Sequence, residues 1–290
     1  MRRHIRLKEW GPSIDKSKAP TAEYVKSVDG SISQKEFRVR TDRNGFITSG
    51  RDLESREFSA QFFFLGDSFV ESVFVDEELR FPAYFEEICL RNKLPLVAYN
   101  GGYSGATTLH LLNTLLNKIG FKGGAGNMKA KVLFVLPSND ALCLTKAGGY
   151  WAFHNKRYSP VVPQDEACGY TVDSVEYSEE LLLPLLVSAC CQLNLELFLA
   201  TFPHRGDIYG GDEWLSVRYP NERYYNTVLS WRNRANLKMR EFAKSSNLHF
   251  VDFDERLSGK SELFYDDLHL NELGSKVAAE YLWDEIQGAL

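Results

Sequence analysis

The stretch Gln61–Ser72, QFFFLGDSFVES, joins four consecutive apolar residues, Phe62 to Leu65, to a glycine, an aspartate and a serine. An unbroken apolar run, rather than an alternating one, is the mark of a strand covered on both faces, as in a parallel sheet flanked by helices. Downstream, four more apolar, strand-like runs follow: Leu96–Tyr99, Lys131–Leu136, Leu195–Thr201 and His249–Phe253. Helical patterns separate them. These are expected over Phe81–Arg91, along Leu109, Leu112, Leu115, Leu116 and Ile119 with Gly120 as the C′ glycine, over Ser178–Cys191 with Pro184 kinking or restarting the helix, over Glu222–Lys244, and over Asn271–Ile286 with Asn271 as N-cap. Five strands alternating with helices predict an α/β fold: a three-layer α/β/α sandwich around a five-stranded parallel sheet, with right-handed crossovers. Ligands of such sheets bind beyond the carboxyl ends of the strands, so reactive groups are expected immediately after them.

Upstream of this pattern, residues 1–57 are polar and carry an alternating stretch, Phe37–Thr41, beside the turn-forming pair Asn44-Gly45. They are expected to form an N-terminal extension with a hairpin, leaving 58–290 as one domain, which suits a chain of 290 residues. With 44% hydrophobic and 25% charged residues the composition is globular, and a net charge of −5 without a basic cluster argues against a nucleic-acid partner. Cys89, Cys143, Cys168, Cys190 and Cys191 show no paired spacing, so free thiols are expected, with Cys190-Cys191 buried rather than joined. Near the N-terminus, positive charges are not followed by the apolar core of a secretory signal, which points to a cytoplasmic protein. Leu181–Phe202 is long enough to span a membrane, but Pro184, Gln192, Asn194 and Glu196 interrupt it, and it reads as helix then strand.

Ser68 follows the first strand directly. A serine hydroxyl needs an adjacent base that is itself oriented by a third group. Of six histidines, His269 in FYDDLHLNELGSK lies between the last strand and the last helix, on the rim that carries Ser68. Asp266, three residues earlier, can hold Nδ1 of the imidazole and leave Nε2 free to take the serine proton. Asp267 is the competing carboxylate and is assigned a solvent-facing role. Donors for a developing oxyanion are available from two other strand ends, Gly105 in NGGYSG and Asn139 in PSND, together with the backbone N–H of Ser68.

These blocks resemble the SGNH hydrolases, the GDSL-type esterases and lipases. GDSF at Gly66–Phe69 resembles the nucleophile block, Gly105 the glycine block, Asn139 the asparagine block, and Asp266 with His269 the DxxH block. The resemblance covers about Phe58 to Leu290. It implies catalytic Ser68, Asp266 and His269, an oxyanion hole from Ser68, Gly105 and Asn139, a flavodoxin-like sheet, and neither metal nor cofactor. Phe69 stands where the naming motif has leucine, and Pro137 where glycine is usual. The preamble VRTDRNGFITSGRD also resembles bacterial members associated with extracellular polysaccharide gene sets.

Other motifs are given simpler readings. Ser104 in GGYSG fails the GxSxG elbow because Ala106 replaces the final glycine. The glycines of Gly120–Gly126 follow a helix rather than a strand, the wrong order for a phosphate-cradling loop, and are expected to be a turn. Asp252 and Asp254 are expected to be caps or surface charges. Two long connections, Ala141–Tyr177 and His204–Asn221, carry many aromatics. Tyr150, Trp151 and Trp214 are the candidate substrate contacts, although the same aromatics would serve equally as the packed underside of a lid. The expected activity is hydrolysis of an ester, an O-acetyl or short acyl group on a carbohydrate. The alternatives are acyl transfer to a sugar, lipase, lysophospholipase or thioesterase activity, and a non-catalytic carbohydrate-binding relative.

Overall fold

The computed structural model describes residues 3–51, 58–120, 130–140, 161–163 and 182–290. Tyr150, Trp151, Cys143, Cys168 and the start of the helix expected from Ser178 lie outside them.

Nine strands occur among the described residues. Arg3–Ile5 (β1) pairs antiparallel with Val161–Pro163 (β7), and Asp15–Lys18 (β2) pairs antiparallel with Phe37–Arg40 (β3). The remaining five, Ala60–Leu65 (β4), Leu96–Asn100 (β5), Lys131–Val135 (β6), Glu196–Ala200 (β8) and His249–Val251 (β9), form one sheet in the order β5-β4-β6-β8-β9, every pair parallel. This is the 2-1-3-4-5 order of flavodoxin-like sheets, whose direction of winding reverses between the first and third strands. Ser68 follows β4 and Asn139 follows β6, so the two sit at that reversal point. Phe62 to Leu65, Val132 to Phe134 and Phe198 to Ala200 are fully buried, because helices cover both faces.

The helices are Ala22–Val25 (α1), Ser68–Glu71 (α2), Phe81–Arg91 (α3), Thr108–Thr114 (α4), Leu183–Gln192 (α5), Glu213–Arg218 (α6), Glu222–Ser245 (α7), Phe253–Leu257 (α8) and Glu272–Ile286 (α9). α9 lies against α3 on one face of the sheet. Right-handed crossovers put α4, α5 and α7 on the other. Pro184 lies in the first turn of α5 as described, and Asn271 caps α9 by accepting from the Gly274 N–H at 2.9 Å. No described helix is long and apolar enough to cross a membrane. Leu181–Phe202, where described, is helix α5 followed by strand β8. Cys89 and Cys190 are buried free thiols, and Cys191 is free and exposed.

One local expectation is corrected. Gly120 is not a left-handed C′ residue: its φ is −55°, after a π turn over Leu115–Ile119. A Cβ there would stand 3.2 Å from both Leu193 Cδ atoms, so close packing is what favours glycine. In the N-terminal segment the Asn44-Gly45 turn forms, with Gly45 at φ +80° and its N–H on Asp42 O at 3.0 Å. Across it the Asp42 N–H donates to Phe46 O at 2.9 Å and the Thr48 N–H to Arg40 O at 3.0 Å, and Thr41 bridges Ile47 antiparallel, while β3 also pairs with the upstream β2 and Ile47 donates to Asn100 O at 2.9 Å. The exposed edge of β5 offers backbone acceptors that a passing strand can satisfy. Trp10, Val39, Ile47 and Val73 form one small apolar cluster, and Val28, Ile32 and Tyr265 form another, so residues 10–47 pack directly on the sheet domain.

Candidate active site

β4 ends at Leu65, and the chain turns sharply through Gly66 into α2. A Cβ on Gly66 would meet Val70 Cγ2 at 2.2 Å, so only glycine permits the turn. Asp67 caps α2 by accepting from the Phe69 N–H at 3.0 Å, and this places Ser68 at the first helical position, half-buried on the rim. At the far end of the sheet, the loop between β9 and α9 folds on Asp266. Its Oδ1 accepts from the backbone N–H of Leu268 at 2.9 Å and of His269 at 2.7 Å. The imidazole then lies with Nδ1 2.7 Å from Asp266 Oδ2 and Nε2 2.7 Å from Ser68 Oγ. Tyr265 stacks flat on the ring, with centroids 5.6 Å apart and an interplanar angle of 8°. Asp266 is fully buried, so Nδ1 donates to it and Nε2 is left to accept from the serine.

Burial opposes charge on both members of this pair. For Asp266 the positive charges of Arg218 and His269 and the hydrogen bonds outweigh it, and its carboxyl is held far below the usual carboxylate range. For His269 burial works against protonation, but the Asp266 charge and hydrogen bond win and the imidazole is raised above its ordinary 6.5. A protonated His269 cannot accept the serine proton, so activity is lost as pH falls through this raised value. The acid limb of a kcat/KM profile measured from pH 5 to 9 is expected above 6.5. A limb at or below that value would contradict the assignment of His269 as base.

Gly105, at φ +74°, follows β5 in a loop that is locked to α2. The buried Glu71 carboxylate accepts from Trp10 Nε1 at 2.9 Å, from the Ser104 N–H at 2.9 Å and from the Ser104 hydroxyl. A Cβ on Gly102 would lie 2.3 Å from the Glu71 backbone nitrogen. Gly102→Ala is therefore expected to push the glycine loop off α2, destabilising the fold by about 1–3 kcal/mol or more in chemical denaturation and lowering kcat disproportionately.

Asn139 is drawn in by the same turn, but not as a free donor. Its Nδ2 donates to Asp67 Oδ2 at 2.9 Å and to Ala106 O at 3.1 Å, so both amide protons are engaged. Asp67 Oδ2 also accepts from the N–H and hydroxyl of Ser138 at 2.9 and 2.8 Å. Asn139 thus bridges the residue before Ser68 and the residue after Gly105. The backbone N–H groups of Ser68 and Gly105 have no hydrogen-bond partner among the described residues.

Two expectations fail here. Asp267 is not solvent-facing. It is 1% exposed, with Oδ1 2.5 Å from Arg218 Nε and Oδ2 2.6 Å from Arg232 Nη1, and it accepts from the Tyr219 hydroxyl. A buried carboxylate beside another needs such cations to stay ionised. Trp214 is not an open sugar platform. It is 8% exposed, packs with Leu215, Tyr219, Tyr225 and Val228, and lies under the Arg205 guanidinium at 5.4 Å. The aromatics of His204–Asn221 are the packed underside of that connection. Asp252 caps α8 and pairs with Arg240 at 2.6 Å, as a structural carboxylate.

Three contributors to the site carry no local signal in the sequence: Arg218, Arg232 and Tyr24. The Tyr24 hydroxyl, on α1, donates to Asp266 Oδ2 at 3.0 Å across 242 residues of chain.

Ser68, His269 and Asp266 thus form a hydrogen-bonded relay at the switch point of a 2-1-3-4-5 sheet. The family model described as the GDSL-like Lipase/Acylhydrolase family matches residues 64–277, and the chain belongs to that family. The match takes in Ser68, Gly105, Asn139, Arg218, Asp266 and His269 and leaves Tyr24 outside. Among solved structures, the acetyl xylan esterase AlAXEase is 16% identical, with a TM-score of 0.51 over 77% of this chain and 98% of its own. Axe2, an acetylxylan esterase from Geobacillus stearothermophilus, is 16% identical, with a TM-score of 0.52 over 79% of this chain and 94% of its own. A lipolytic G-D-S-L family protein from Veillonella parvula is 12% identical, with a TM-score of 0.50 over 79% and 99%. At these identities the likeness is one of fold. No curated protein matches the chain.

Proposed function

We propose that this carboxylic ester hydrolase removes an O-acetyl or other short acyl group from a carbohydrate through an acyl-enzyme on Ser68. The observation that carries the reading is the continuous relay from Ser68 Oγ to His269 Nε2 and from Nδ1 to Asp266, each step 2.7 Å. Ser68 attacks the ester carbonyl as His269 takes its proton. The imidazolium, stabilised by Asp266, returns that proton to the leaving alcohol, and water repeats the cycle on the acyl-enzyme. The N–H groups of Ser68 and Gly105 stabilise the oxyanion, and Asn139 joins them by exchanging its contact to Ala106 O. The acetylxylan esterases among the fold relatives favour an acetylated glycan as the ester, as does the VRTDRNGFITSGRD preamble.

The test is a panel of p-nitrophenyl esters from acetate to long acyl chains, followed by acetylated polysaccharides, on wild type and Ser68→Ala together. Preference for acetate, with acetate released from the polysaccharide, is expected. Preference for long chains would overturn the glycan reading and leave the ester chemistry standing.

A further inference from the structure

Behind the relay lies a buried group of four charges. Arg218, the last residue of α6, reaches the two adjacent carboxylates at once, with Nη2 3.1 Å from Asp266 Oδ2 and Nε 2.5 Å from Asp267 Oδ1. Arg232 on α7 holds the far side of Asp267 at 2.6 Å, and its Nη2 also donates to Tyr219 Oη at 3.3 Å. Both aspartates are essentially without solvent exposure, and the Arg218 side chain is 20% exposed. Two carboxylates and two guanidinium groups cancel, and this matters for the neighbouring imidazole. Asp266 and Asp267 both draw the His269 imidazole toward its charged form, and Arg218 offsets part of that pull.

We propose that Arg218 is a positioning residue of the hydrolase: it clamps Asp266 and Asp267 together so that the Asp266 carboxylate faces His269 in one orientation, and it keeps the buried charge balanced. The proposal rests on the Ser68-His269-Asp266 reading above. A planar guanidinium suits this task because its nitrogens are fixed in a rigid fork that meets two acceptors at set positions, whereas an ammonium is a compact point charge with freely rotating donors. The position also gives a function to the long connection from His204 to Asn221. Trp214, Leu215 and Tyr219 on its underside pack against Tyr225 and Val228 of α7 and fix α6, and α6 delivers Arg218 to the back of the triad.

Among the described residues, the titratable and charged groups around His269 are Asp266, Asp267 and Tyr265 on its own loop, Asp67 and Ser68 at the nucleophile turn, Tyr24 on α1, Arg218 and Tyr219 at the end of α6, and Arg232 on α7. Asp266 and Asp267 favour the imidazolium and Arg218 disfavours it. Removing the Arg218 charge leaves a net negative group, so the acid limb moves to higher pH.

The experiment measures kcat, KM and the kcat/KM pH profile on p-nitrophenyl acetate for wild type, Arg218→Gln, Arg218→Lys and Ser68→Ala, with melting temperatures alongside. Arg218→Gln is expected to lower kcat about 10- to 100-fold, change KM less than about twofold, and move the acid limb upward by about half a pH unit or more. Arg218→Lys is expected to keep the limb within about 0.2 of wild type while kcat falls several-fold, because the charge survives and the fork does not. A lower melting temperature with wild-type kcat and an unmoved limb in Arg218→Gln makes the residue purely structural and overturns the proposal. If Arg218→Gln does not fold, Arg218→Lys decides: reduced kcat at unchanged KM supports the clamp, and wild-type kcat removes it. Activity retained in Ser68→Ala would overturn the triad and this proposal with it, whereas an inactive Ser68→Ala beside an unaffected Arg218→Gln overturns this proposal alone.

Discussion

Ser68→Ala is expected to lower kcat on p-nitrophenyl acetate by about 10⁴-fold or more, because without a nucleophile only the oxyanion donors and substrate binding remain to accelerate the reaction. The fold should hardly notice. Among the described residues the Ser68 hydroxyl makes one hydrogen bond, to His269, so the change in unfolding free energy is expected to stay within about 0.5 kcal/mol. A fluorophosphonate probe should add its mass to wild type and not to the variant. Substantial esterase activity in a folded Ser68→Ala protein would show that another group attacks the ester.

Asp266→Asn is expected to be nearly as severe, with kcat lower by about 10⁴-fold. The amide keeps the shape of the carboxylate but no longer fixes the Nδ1-protonated tautomer, and it gives no charge to stabilise the imidazolium. It also unbalances the buried charges toward positive, since Arg218 and Arg232 remain opposite Asp267 alone. The residual activity should therefore show an acid limb lower than that of wild type, the reverse of the shift expected on removing Arg218. Two substitutions of facing partners that move the same limb in opposite directions would separate an electrostatic role from general damage. An Asp266→Asn protein with its limb unmoved would mean that this carboxylate does not set the basicity of His269.

The sheet was legible because its signal is local. Phe62 to Leu65 and Lys131 to Val135 announce strands covered on both faces by composition alone, and the observed bounds differ from expectation by a residue or two. The Asp266–His269 pairing was legible for the same reason, since three residues within one tight loop set its geometry. What failed depends on partners far along the chain. Asp267 was misjudged because the cations that bury it come from α6 and α7, some 35 or more residues away, and no periodicity in its own loop points to them. For Trp214 both readings stayed open, because an aromatic in a long connection reads the same whether it faces a ligand or packs beneath its own backbone. Asn139 was recognised by type, but which acceptors hold its two protons depends on Asp67 and Ala106, both brought in by the turn at Gly66 and the loop around Gly105.

The distance between partners also has a consequence for how the protein is made. Ser68 waits for His269 across 201 residues of chain. At translation rates of about 5–20 residues per second, that is roughly 10–40 s during which the nascent polypeptide holds its nucleophile with no base beside it. The contact between Ser68 and His269 therefore cannot form until the last strand and the loop after it have emerged.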